Sequence, residues 1–168
     1  MFAIILHFRK MIFLDFLAHL DFLNYFLMAK YNTFEEMPVY QKALLFGVKV
    51  YKFTNTNPEI AKDFGLKGQL QRAAISISNN IAEGFERETK KELIRFLYFS
   101  KGSAGECRNM FNFLELLENV NGEIFLDFKN DIKEISQQLG NYIKYLKNLE
   151  AQNKTESKFK EFPNSEEI

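Results

Sequence analysis

Histidine and cysteine are almost missing from this chain, which has two His and one Cys among 168 residues. A single Cys107 excludes an internal disulfide framework and fits a reducing, cytoplasmic setting. His7 and His19 both fall within residues 1–27. No His elsewhere can activate Cys107, which reads as a small core residue. Asp15 and His19 have the i, i+4 spacing of helical metal ligands, but the further ligands a site needs are lacking. Glu83 and Glu106 are not accompanied by the Glu-x-x-His motifs that di-metal bundles use. Gly102 and Gly105 lie inside a predicted helix, where backbone N–H groups are already bonded, so they do not make a phosphate loop. Neither a catalytic site, a metal site nor a cofactor is expected. Tryptophan is absent and only three Pro interrupt the chain, which leaves long runs free to be helical. Charge of one sign is not in excess: 22 basic residues balance 22 acidic ones, which argues against bulk attraction to a polyanion.

What the sequence does contain is apolar: 46% of residues are hydrophobic and 19 are Phe. Residues 1–27 are the most apolar stretch, yet Arg9, Lys10, Asp15, His19, Asp21 and Asn24 break every window long enough to span a bilayer. No signal-peptide cleavage pattern follows. Two readings stay open: an apolar leader upstream of a true start at Met28, or an appended amphipathic helix that docks on a membrane surface or a partner. From there to residue 150 the patterning is helical. The first helix runs from near Glu35 or Pro38 to about Thr56, with Val39, Ala43, Phe46, Val50 and Phe53 as its inner stripe and Tyr40, Leu44, Val48 and Tyr51 widening it. Asn57-Pro58 ends it. The second runs from about Phe64 to Phe85, and the third from the capping box Thr89-Lys90-Lys91-Glu92 to about Asn119. The small residues at Gly102, Ser103, Ala104 and Gly105 predict a close backbone approach there. Asn121-Gly122 precedes a fourth helix, about Glu123 to Glu150, and residues 151–168 lose periodicity and are expected to be a disordered tail. Four amphipathic helices with short links predict an all-α, antiparallel up-down-up-down four-helix bundle over residues 28–150.

The segment Gln69 to Glu83 organises this arrangement. Leu66, Leu70, Ala73, Ile77 and Ile81 form an apolar seam beside a polar series of Gln69, Arg72, Ser76, Asn79 and Glu83. Folding back at residue 88 sets Glu83 level with Arg95 and Arg72 level with Glu106. These are predicted cross-helix ion pairs, with Gln69, Ser76, Asn80 and Ser103 completing a structural network that fixes register. The third helix is apolar beyond its inner face. Ile94, Tyr98, Phe99, Phe113 and Leu116 are therefore the expected oligomer interface. The helix carries two basic stripes, Arg87, Lys91 and Arg95 and then Lys90, Lys101 and Arg108, and of these Arg87, Lys90, Lys91, Lys101 and Arg108 are the candidate nucleic-acid contacts. Charge is also uneven along the chain: residues 28–110 hold 13 basic and 9 acidic residues, and residues 111–168 hold 7 basic and 11 acidic.

The run Asn80-Ile81-Ala82-Glu83-Gly84, followed by Gly102-Ser103 and Glu106, together with Val39-Tyr40-Gln41-Lys42-Ala43, Leu66, Gln69, Arg72, Ala73, Ala74, Ser76-Ile77-Ser78-Asn79 and Arg95-Phe96-Leu97, resembles the four-helix-bundle family named for proteins encoded in 23S rRNA intervening sequences. The resemblance implies a small bacterial bundle that assembles with itself, as a ring of five. It also implies kinship with the accessory bundle protein of diversity-generating retroelements, which pairs with a reverse transcriptase and binds nucleic acid through a basic surface. It brings no enzymatic activity and no small-molecule substrate. The extension at residues 1–27, Tyr40 where the family often has Trp, and the acidic C-terminal half depart from the family pattern. The expected function is a non-enzymatic, cytoplasmic, homo-oligomeric scaffold or adaptor that binds RNA or an RNA–protein partner. The alternative is a protein assembly module without nucleic-acid contact.

Overall fold

The computed structural model of the protein describes residues 31–117 and 122–160, with side chains at 31–117 and 124–152. The apolar leader lies outside the described residues. Among them the chain is helical, without strands: a 3-10 turn at Phe34–Glu36, then α1 (Pro38–Thr56), α2 (Pro58–Lys62), α3 (Phe64–Phe85), α4 (Lys90–Leu116) and α5 (Gly122–Lys160).

Local chemistry sets the helix ends. Pro38 occupies the first turn of α1, where a missing N–H costs nothing. Asn57 ends α1 and starts α2: its side-chain oxygen accepts from the Glu59 and Ile60 N–H groups at 3.1 Å each. Asp63 caps α3 through the Leu66 N–H at 2.9 Å. Thr89 Oγ1 accepts from the Glu92 N–H at 3.2 Å, and the Glu92 carboxylate lies 3.6 Å from Arg95. Beyond Glu150, where periodicity fades, α5 continues to Lys160. Residues 151–160 contain Ala, Gln, Lys and Glu and no Pro or Gly, so nothing in them stops a helix. Residues 161–168 lie outside the described residues.

Each long helix packs on two others: α1 on α3 and α5, and α4 on α3 and α5. The core draws on all four, with Val39, Ala43, Phe46 and Val50 from α1, Leu70, Ala74, Ile77 and Ile81 from α3, Leu97, Ala104, Cys107 and Phe111 from α4, and Phe125, Ile132, Ile135 and Leu139 from α5. Part of the Phe surplus is spent in one cluster. Phe111 stacks on Phe128 with centroids 4.8 Å apart. Phe46, Phe53 and Phe125 meet this pair edge-on or tilted, tying α1, α4 and α5 together.

The α3–α4 contact is the closest. A Cβ added to the buried Gly84 would stand 2.6 Å from Phe96 Cβ. Further along, Ser100 Oγ donates to the Ile77 carbonyl at 2.8 Å, and Ser103 Oγ donates to Ser76 Oγ at 3.0 Å. Levels fall on one helix as they rise on the other, so α3 and α4 run in opposite directions. The expectation for Gly102 and Gly105 needs correction: a Cβ at either would meet nothing within 4 Å. The close approach is at Gly84 instead, where the short link brings the helices together.

Two glycine substitutions should therefore act in opposite senses. Gly84→Ala forces Phe96 to move and should lower unfolding free energy by about 1–3 kcal/mol. Gly102→Ala meets open space and should raise it by up to about 1 kcal/mol, through helix propensity alone. Urea denaturation of both variants beside the parent checks this, and equal destabilisation would contradict it.

Candidate functional site

The polar series of α3 divides in two. Ser76, Asn80 and Ser103 form a compact link: Asn80 Nδ2 donates to the Ser76 carbonyl at 2.7 Å and to Ser76 Oγ at 2.9 Å, and Ser103 Oγ reaches the same hydroxyl. The charged members do not cross. Glu83 accepts from Arg87 Nη2 at 2.6 Å, one turn along, and Arg95 turns to Glu92. Among the described residues no ion pair joins Arg72 to Glu106, and both are exposed, as is Gln69. The levels anticipated for these pairs agree with the observed register, but the residues sit on the outer rims of their helices. There, partners three or four residues away in sequence are nearer and water already solvates the charge. Ser100 is the buried polar contact that sequence reading missed. A Ser on an inner stripe looks like a small core residue, and only the facing Ile77 carbonyl reveals its use.

The basic candidates also separate. Arg87 and Arg95 are engaged by Glu83 and Glu92 and lie over aromatic rings, with guanidinium carbons 5.2 Å from the Phe96 centroid and 5.5 Å from that of Phe99. Lys90, Lys91, Lys101 and Arg108 are exposed, with no carboxylate partner among the described residues. Lys101 turns toward α5 and borders a cleft there.

The proposed apolar interface is corrected at one residue. Ile94 is only 8% exposed, because it precedes Leu97 by three positions and shares its inward face. Tyr98, Phe99, Phe113 and Leu116 are exposed, Leu116 at 81%. Leu44, Val48 and Tyr51 do not widen the α1 core. They stand outward, Tyr51 at 55%, and Ile75 of α3 is beside them, its Cγ1 3.9 Å from a Cβ placed at Gly47. Their i, i+4, i+7 spacing was visible, but which side of α1 the other helices leave uncovered was not.

Part of the acidic charge of the C-terminal half is engaged between helices. Lys49 bridges Asp127, at 2.6 Å, and Asp131, and Lys42 pairs with Glu134. Lys129 pairs with Glu115 at 2.6 Å. Burial pulls the Lys49 pKa down, but hydrogen bonds to the two carboxylates outweigh it and leave the pKa raised. Among the described residues no cluster of His, Cys, Asp and Glu is placed to hold a metal, and no helix is long and apolar enough to cross a membrane.

Cys107 is buried in the core. Burial, and then the neighbouring Glu106 carboxylate, pushes its thiol up to about 12. It is therefore a protonated packing group and a poor nucleophile at neutral pH.

Comparison with known proteins places the sequence in a family. The model of the 23S rRNA-intervening sequence protein family matches residues 35–141. The chain is also similar to a crystal structure of a protein of unknown function from the S23 ribosomal protein family of Bacteroides thetaiotaomicron. The two share 28% identity and a TM-score of 0.58, over 63% of this chain and 98% of that one. No curated protein matches.

The raised Cys107 pKa carries a pH signature. The unfolded thiol ionises near pH 9.0 and the folded one only near 12. The cysteine therefore leaves stability unchanged below pH 9, and stability falls as pH rises from there toward 12, by up to about 1.4 kcal/mol per pH unit. Lys49 acts in the same direction, but only above its ordinary value of 10.5. Urea midpoints between pH 8 and pH 10 should drop more for the parent than for Cys107→Ala. Parallel curves would show that Cys107 is not buried as described.

Proposed function

This chain belongs to the 23S rRNA-intervening sequence protein family, and we propose that it is a non-enzymatic, homo-oligomeric scaffold that binds RNA, or an RNA–protein partner, through the basic face of α4. In this reading α1, α3, α4 and α5 form an antiparallel up-down-up-down bundle, and copies of the bundle assemble in the cytoplasm, as a pentameric ring. The observation that carries it is the composition of α4 outside the core. Lys90, Lys91, Lys101 and Arg108 are exposed without carboxylate partners among the described residues, alongside exposed Tyr98, Phe99, Phe113 and Leu116. The apolar residues supply a surface for a second copy. Repetition of the lysines and arginine around an oligomer turns a weak patch into a multivalent phosphate-binding surface. The pairing of Asp127, Asp131 and Glu134 with lysines of α1 removes part of the acidic field that would oppose this.

A second reading, a protein assembly module without nucleic-acid contact, draws on the outward row Leu44, Val48 and Tyr51 with Ile75. That row bears no basic residue from α4, so it serves assembly in either case.

Binding of a structured RNA separates the two. The scaffold reading expects affinity to fall steeply with salt, and Lys90→Glu/Arg108→Glu to flatten the log–log slope by about 2, with the oligomer intact. Absence of binding at low salt would leave only the assembly reading. Sedimentation at micromolar concentration should give a mass several times that of the chain, lowered by Phe99→Glu/Phe113→Glu. A monomeric parent would sink both readings.

A further inference from the structure

Between α4 and α5 lies a cleft of about 230 Å3 where three lysines from distant parts of the chain converge: Lys101 from α4, and Lys144 and Lys147 from α5. Buried Ile143 forms part of its lining, and among the described residues no carboxylate borders it. Lys147 Nζ donates to Tyr98 Oη at 2.9 Å and stands 5.0 Å from the Tyr98 ring centroid, so this ammonium is held in place. Gly140 keeps the α5 side of the cleft low, since a Cβ there would stand 3.4 Å from Lys101 Nζ. Asn148 adds an amide at the edge.

This differs from how the protein treats its other interhelical lysines. Lys42, Lys49 and Lys129 each meet a carboxylate of a neighbouring helix. Lys101, Lys144 and Lys147 meet none among the described residues. Three ammonium groups around one small concavity repel each other, and an entering anion relieves that repulsion. Ammonium groups are strongly hydrated point charges on flexible stems. Several of them around one concavity can each meet a different oxygen of a multiply charged phosphate, as point charges without a fixed fork geometry.

We infer that the α4–α5 cleft is a binding site for a phosphate group, held by Lys101, Lys144 and Lys147 with the Asn148 amide at its rim. The phosphate belongs either to the backbone of an RNA strand or to a free phosphomonoester. In the first case the site rests on the RNA reading above and extends it to α5. In the second it stands without that reading.

The test titrates the full chain, at low ionic strength, with inorganic phosphate, adenosine 5′-monophosphate and a single-stranded oligouridylate, following the NMR resonances of Gly140 and Asn148. At least one probe should give saturable shifts at both residues. Lys101→Gln/Lys144→Gln should weaken that binding by about tenfold or more, as expected when charge-assisted hydrogen bonds are lost. Lys147 is left in place because it also holds Tyr98. Lys52→Gln/Lys62→Gln, which removes the same charge outside the cleft, should leave the affinity unchanged. Shifts with the oligonucleotide alone assign the strand backbone, and shifts with the monophosphate or inorganic phosphate assign a free phosphate ligand. Silence with all three probes, or equal affinity in parent and Lys101→Gln/Lys144→Gln, overturns the site. RNA binding that leaves Gly140 and Asn148 unmoved sinks the cleft but not the RNA reading. Monophosphate binding without RNA binding does the reverse.

Discussion

The contact between α3 and α4 constrains everything else. At Gly84 the helices approach so closely that no side chain fits beside Phe96. The Ser100 hydroxyl then reaches the Ile77 carbonyl, and Ser103 reaches Ser76. Direct hydrogen bonds between small side chains are possible only at that separation. Together they fix both the level and the rotation of α4. Its apolar stripe is thereby aimed inward at Phe46 and Phe128, and its remaining faces are left to α5 and to solvent.

The charged residues follow from this packing rather than causing it. Lys42 and Lys49 of α1 reach carboxylates of α5 because the cores of those helices are already in contact. Such half-exposed pairs add little stability but favour one register over its neighbours. Their effect on surface charge matters more. They consume acidic residues of the first half of α5 and leave Lys144 and Lys147, further along, bordering the cleft with α4. A chain with no net charge thus carries a local basic site, because opposite charges are spent where helices meet.

Several features could be read from the residues alone. Thr89 announces a helix start through a side-chain oxygen that accepts from a nearby N–H group, which is local chemistry with local geometry, whereas Asn57 was read only as a helix end and its cap of α2 emerged from the structure. The antiparallel level of α3 and α4 followed from the shortness of their link. Cys107 could be placed in the core by its position in the stripe. The family too was legible, in the run Asn80 to Gly84 with Gly102-Ser103 and Glu106. Partner choice was not. Glu83 had Arg87 and Arg95 within plausible reach, and only the helix rotations decide for Arg87. Ile94 was expected at an outer interface and Leu44 in the core, yet Ile94 is buried and Leu44 exposed, because helix neighbours differ from side to side.

The sequence by itself determined where the four long helices begin, the central stripe that each of them buries and how α3 turns back into α4. These depend on spacing and capping within a few residues. Only the tertiary structure decided which glycine is a contact, which carboxylate answers which lysine, and that Lys101 meets Lys144 and Lys147 across a cleft. Those outcomes depend on relative helix rotation. Many side chains set that rotation jointly, and no local pattern encodes it.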